Sequence, residues 1–313
     1  MKPSRPFRFS LQVPHSVSRG EWVELARRAE DTGFDLLVTA DHLGGPAPLV
    51  ALAVAAEATE RLRLGTMVLN NDFYHPSLLA RDAATLDLLS DGRLELGLGA
   101  GHAWPEYERA GLVFDPPVRR VDRLEEAVAI LRRLLDGETV THHGAHYDLR
   151  EEAVAPRPVQ ARVPLLVGGG GDRVLGVGAR LADAIGFTGL GRTLEDGQHH
   201  EPAGFSPARV AEQVAHAERQ AGERWPSIEL QVLVQAVVVT NDPVRAAEDL
   251  IATHLRTMSV DDVLATPYLM VGSEWELIDR LVDRRERWGF THYTVRADAL
   301  GQIEGVIAAL ARR

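Results

Sequence analysis

Apolar residues recur along this chain in two periods that take turns. From Phe7 to Val13 they alternate, the period of a half-buried strand; Trp22, Leu25, Ala26 and Ala29 then recur at the three-to-four spacing of an amphipathic helix. Ser18 and Glu21 form a capping box ahead of that helix, and Gly33 stops it. The pair of elements repeats. A strand over 35–40 precedes a helix from Pro48 to about Glu60, and a strand over 62–69 precedes a helix from Pro76 to Leu89, stopped by Asp91-Gly92. A strand over 93–98 leads through a loop to a helix carrying Leu124, Ala127, Val128, Leu131 and Leu135.

Residues 136–163 break the rhythm with Gly137, Gly144, prolines and hairpin-like polar residues, the composition of an insertion crossing the surface. Alternation resumes with a strand over 164–167, a helix over 172–182 and a strand over 184–188; a polar loop then precedes a helix opened by Ser206-Pro207. Ile228 to Thr240 reads as one long strand. Asp242-Pro243 opens a helix, Ser273 with Glu276 caps another that ends at Trp288-Gly289, and Thr291 to Arg296 is the last strand. Eight strands joined by helical crossovers predict a (β/α)8 TIM barrel, one domain over 1–313 with inserted loops at about 102–117, 136–163 and 189–205. An open doubly wound sheet is the competing arrangement.

Four strands run abruptly into small or polar residues: Thr39-Ala40-Asp41-His42, Gly65-Thr66-Met67-Val68, Gly97-Leu98-Gly99-Ala100-Gly101 and Gly168-Gly169-Gly170-Gly171. Folds of this class gather their chemistry at those carboxyl ends. Composition narrows what that chemistry can be. With no cysteine, disulfides, thiolate ligands and thiol nucleophiles are excluded, and redox chemistry needs a borrowed cofactor. A net charge of −11 argues against a nucleic-acid partner, and Lys2, the only lysine, leaves no GxxxxGK phosphate loop. No apolar run is long enough to cross a bilayer, and the start lacks the apolar stretch of a signal peptide, so a cytoplasmic protein is expected.

The series Asp41-His42, Leu64 to Leu69, Asp91 to Gly101, Pro164 to Gly169 and Ala182-Asp183-Ala184 resembles the bacterial luciferase-like monooxygenase superfamily, particularly its coenzyme F420-dependent branch. The resemblance runs nearly end to end. It implies a barrel that holds a flavin or 5-deazaflavin at its carboxyl end, usually as a homodimer. It also implies a bulge in the third strand, with a non-prolyl cis peptide behind the cofactor's middle ring, here between Met67 and Val68. Gly99, Ala100 and Gly101 read either as a plain tight turn or, by the resemblance, as ring contacts. Gly168 to Gly171, ahead of a helix starting near Asp172, can present bare amides to a phosphate, with a flexible turn as the alternative. Thr188 aligns with a second phosphate-side position. A Rossmann-type dinucleotide fingerprint fails from Gly168 at Arg173, and the one from Gly97 leads into a loop.

For proton transfer the first candidate is His42, whose imidazole exchanges protons near neutral pH; Asp41 would orient it or bond the cofactor ring. His102 stands where sugar-phosphate dehydrogenases of the branch carry a glutamate proton donor, so it either replaces that donor or lines the pocket. His15 and Trp104 are expected at the same mouth as substrate contacts, or else as loop packing. His142, His143 and His146, with His199-His200-Glu201, do not form a metal motif, and no metal is expected. The preferred function is an F420-dependent oxidoreductase moving hydride between the deazaflavin C5 and a small organic substrate. An FMN-dependent monooxygenase and a non-enzymatic flavin-binding protein are the alternatives.

Overall fold

The computed structural model describes residues 5–13, 18–191 and 204–311. Its first half runs β1 (Arg8–Gln12), α1 (Arg19–Thr32), β2 (Leu36–Thr39), α2 (Pro48–Ala58), β3 (Arg63–Thr66), β4 (Leu69–Asn70), α3 (Pro76–Leu89), β5 (Leu94–Gly99), α4 (Trp104–Ala110) and α5 (Pro117–Leu135). There follow a hairpin of β6 (Val140–His143) and β7 (Asp148–Glu152), then β8 (Leu165–Gly169), α6 (Asp172–Leu181), β9 (Ala184–Phe187) and α7 (Pro207–Ala221). The chain ends with β10 (Glu229–Leu233), β11 (Ala236–Val239), α8 (Pro243–Thr253), α9 (Val260–Ala265), β12 (Leu269–Gly272), α10 (Glu274–Trp288), β13 (Phe290–Arg296) and α11 (Glu304–Leu310).

The order β3-β2-β1-β13-β10-β9-β8-β5-β4, together with pairing of β3 to β5, closes the sheet on itself. Every one of its pairings is parallel. Because β3 and β4 are the two parts of one strand interrupted at Met67-Val68, the nine segments make eight strands and a (β/α)8 barrel. The open sheet is excluded. The interruption contains a cis peptide between Met67 and Val68. Close approach of β3 to β5 depends on Gly97, where a Cβ would stand 2.1 Å from the Thr66 carbonyl oxygen.

The run 228–240 is two strands. After Leu233 the chain leaves the barrel: the Gln235 amide donates to the Tyr268 carbonyl, and β11 pairs with β12 in a separate parallel ribbon. Apolar character continues across the break because Val234 and Met270 are both buried, so periodicity alone could not locate it. The predicted capping boxes are present at Ser18–Glu21 and Ser273–Glu276. The stretch 102–117 contains the helix α4, and 136–163 contains the hairpin.

Side chains alternate along each barrel strand. Phe9 and Leu11 join the core under the helices, whereas Arg8, Ser10 and Gln12 turn inward. The amino-terminal floor of the barrel is charged: Arg8 bonds Glu95 at 2.6 Å and Glu229 at 2.9 Å, and the latter accepts from His292 Nδ1 at 3.1 Å. Burial alone would raise the Glu229 carboxyl, but His292 and Arg8 outweigh it and hold it down at about 2. Toward the other end the lining turns apolar, with Leu36, Val38, Met67 and Leu233 packed together. Above that cluster lies the cavity.

Candidate active site

A cavity of about 420 Å³ opens at the carboxyl ends of the strands, and its walls come from separate strands brought together by barrel closure. Asp41 and His42 (after β2), Met67 and Val68 (between β3 and β4), Gly99 to His102 (from β5), Gly168 to Gly171 (from β8) and Thr188 (after β9) all line it. The residues predicted for cofactor contact and proton transfer therefore share one space. Trp104 opens α4 between the lining residues Ala103 and Glu106; it is partly exposed and is not itself part of the cavity wall. His15 and the His199-His200-Glu201 cluster lie outside the described residues.

The back wall is built around Val68. A Cβ at position 99 would stand 2.6 Å from Val68 Cγ2, and one at 168 would stand 2.9 Å from Val68 Cγ1. Glycine is required at both positions for the bulge to sit between β5 and β8. Gly186 makes room for the neighbouring side chain, since a Cβ there would meet Met67 Cε at 3.0 Å. The result is a wall of backbone and two side chains, Met67 and Val68, bare enough for a ring to approach closely.

The glycine run ends at Gly171, the N-cap of α6, in extended conformation (φ −92°, ψ 141°). No atom lies within 4 Å of where its Cβ would be. The loop is held from behind by Gln213 of α7, whose amide nitrogen donates to the Gly170 carbonyl at 2.7 Å. The positive end of α6 thus faces the cavity with unshielded amides, the chemistry of an anion site. Asp172 in the first turn opposes an anion there, but its charge is countered by Arg209 at 2.5 Å.

At the opposite wall the Asp41 carboxylate accepts the Asn70 backbone amide at 3.0 Å. Burial lifts this carboxyl above its ordinary range, against the pull of the Asn70 amide and the Tyr74 hydroxyl. The Tyr74 phenol is itself pushed up by burial and by the charge of Asp41. Asp41 therefore braces the start of β4. His42 takes a different carboxylate: its Nδ1 lies 2.8 Å from Glu106 Oε1. The His102 ring stands edge-on to His42, centroids 5.5 Å apart at 84°.

Sequence reasoning missed Glu106, Gln12, Asn70, Gln235 and Arg296, all of which line the cavity. Gln12 donates to the Met67 carbonyl at 3.3 Å, Gln235 to the Thr188 carbonyl at 3.1 Å, and Arg296 to Gln235 at 2.9 Å. The inward alternation of Arg8, Ser10 and Gln12 was a signal for Gln12; Glu106 had none, because its contact is spatial. His142 and His143 bond Glu126 and Asp148 respectively, and among the described residues no cluster of metal-ligating side chains occurs. No helix among them is long and apolar enough to cross a membrane.

Comparisons agree with this architecture. A family model described as luciferase-like monooxygenase matches residues 5–300. An F420-dependent glucose-6-phosphate dehydrogenase of Beutenbergia cavernae is 33% identical over 308 residues, covering 88% of each chain. One of Microbacterium testaceum is 35% identical over 188 residues, so that alignment spans only 55% of the relative. Among solved structures, an F420-dependent secondary alcohol dehydrogenase superposes with a TM-score of 0.76 at 19% identity, covering 98% of this chain and 99% of that one. The F420-dependent tetrahydromethanopterin reductase of Methanopyrus kandleri gives 0.77 at 18%, covering 97% and 99%; at such identities these two speak for the fold alone. With the family match spanning most of its length, this chain belongs to the luciferase-like monooxygenase family.

Proposed function

We propose that this protein is a coenzyme F420-dependent oxidoreductase that exchanges hydride with a small organic substrate. The observation carrying this reading is the meeting, in one cavity, of a glycine-floored wall, bare amides at the start of α6 and an imidazole held by a carboxylate. Extended similarity to F420-dependent dehydrogenases supports the choice of cofactor.

The residues present fit such a group. The deazaflavin supplies hydride exchange at its C5, chemistry that no side chain of a cysteine-free chain provides. Met67, Val68, Gly99, Ala100 and Gly101 would back the ring, and Gly168 to Gly171 with Thr188 would take the phosphate. Asp41 keeps β4, and hence the bulge, in place through Asn70. His42 handles the proton: it accepts one from a substrate hydroxyl when the substrate is oxidised and returns it when a carbonyl is reduced. His102 borders the same volume as a second proton-exchanging group. The resemblance also implies a homodimer, and the exposed side chains of Val50 on α2 and Leu78 and Leu89 on α3 offer apolar area for it to cover; light scattering after gel filtration reports the mass.

Titration of the apo-protein with F420 and with FMN, followed by fluorescence, tests the reading. Micromolar or tighter F420 binding is expected. Tight FMN binding without F420 binding would instead mark a flavin monooxygenase, and tight binding without any turnover, unaffected by His42→Ala, a carrier.

A further inference from the structure

Glu106 belongs to no strand end and no glycine turn, yet its carboxylate reaches the candidate base. Oε1 lies 2.8 Å from His42 Nδ1, while Oε2 accepts the Leu43 backbone amide at 3.2 Å. One carboxylate thus holds both the ring and the main chain that carries it. The carboxylate is itself fixed. It rides on α4, and the next residue, Tyr107, is buried and bonds Asn70 Oδ1 at 2.9 Å and Asp72 Oδ2 at 3.0 Å. A short helix anchored to the loop after β4 is therefore tied back to the loop after β2.

An ionised carboxylate only accepts hydrogen bonds, so this contact requires the proton on Nδ1. In the neutral imidazole the basic lone pair then sits on Nε2. We propose that Glu106 is a positioning residue that holds His42 in the Nδ1-protonated tautomer, leaving Nε2 as the nitrogen that exchanges protons with substrate. The arrangement follows the general pattern of a base oriented by a third group. Among the described residues, Asp41 lies beside His42 in the chain and His102 stands edge-on to it from the turn after β5. Asp41 is engaged with Asn70 and Tyr74, whereas Glu106 sets a carboxylate oxygen directly on Nδ1.

This inference rests on reading the cavity as an active site, but its test does not require turnover. Two-dimensional 15N–1H spectra of imidazole-labelled protein, with His42 assigned from the His42→Gln variant, report the tautomer at a pH where the ring is neutral. Wild type is expected to show His42 protonated at Nδ1. Glu106→Met, close in volume but without an acceptor for the ring proton, is expected to shift His42 toward the Nε2-protonated form; Glu106→Ala serves if the methionine variant does not fold. In an active preparation the same variants should lose tenfold or more in kcat, with KM and cofactor affinity held. A wild-type ring protonated at Nε2, or a tautomer indifferent to loss of Glu106, overturns the proposal. The predicted tautomer in a protein that turns over no F420 substrate would sink the functional reading and leave this one standing.

Discussion

Gly171 offers a way to separate the stability of the fold from the binding of an anion. As N-cap of α6 it already has the extended backbone that aspartate adopts at such positions, and its Cβ would point into open space. Gly171→Asp should therefore be neutral or stabilise the protein by about a few tenths of a kcal/mol, because the new carboxylate caps the first turn. The same carboxylate occupies the amides that a cofactor phosphate would use. Losing one charge-assisted hydrogen bond costs about 1.5–3 kcal/mol, or roughly 10- to 150-fold in Kd at about 1.4 kcal/mol per tenfold. Repulsion adds to this, since Asp172 is adjacent and Arg209 already serves it. Gly170→Ala is the contrasting control: its Cβ would stand 1.8 Å from the Leu190 carbonyl oxygen, so that variant should lose thermal stability. Thermal melts and F420 titrations of both variants check the pair. A Gly171→Asp protein that melts like wild type and still binds F420 with unchanged Kd would refute a phosphate site at α6.

Other outcomes follow from the same geometry. His42→Ala should reduce kcat by about 10²–10⁴-fold while cofactor affinity is retained, as single-turnover and binding measurements would show. Gly99→Ala should destabilise by about 1–3 kcal/mol through its clash with Val68, and Val68→Ala in the same chain should recover part of that loss in a denaturant double-mutant cycle. Acid should weaken the barrel floor. Glu229 is depressed from 4.5 to about 2, so its contribution is complete above pH 4.5 and disappears as pH falls through 2. Its full size is about 3 kcal/mol at roughly 1.4 kcal/mol per pKa unit. The stability gap between wild type and Glu229→Gln should accordingly narrow between pH 5 and pH 2 in urea melts, and a constant gap would contradict it.

Much of the barrel was legible because its strands end in small residues where backbone must approach backbone. Gly97 against Thr66 and Gly99 and Gly168 against Val68 are steric necessities, and glycine is visible in a sequence. The two capping boxes were legible for a similar reason: their partners lie three residues apart. What stayed hidden depends on distant partners. Ile228 to Thr240 looks continuous because burial continues through Val234, while the exit from the barrel is decided by Tyr268 and the β12 strand after it, which pair with this segment from far along the chain. Glu106 was hidden because 64 residues separate it from His42.

On the proposed function, the cavity over Val68 would receive a deazaflavin with its phosphate resting on the start of α6. A crystal structure of the protein with F420 tests it most directly. The ring is expected against Met67, Val68 and Gly99 to Gly101, with the phosphate on the amides of Gly169 to Gly171. A ring lying elsewhere, or a phosphate away from the glycine run, would contradict it.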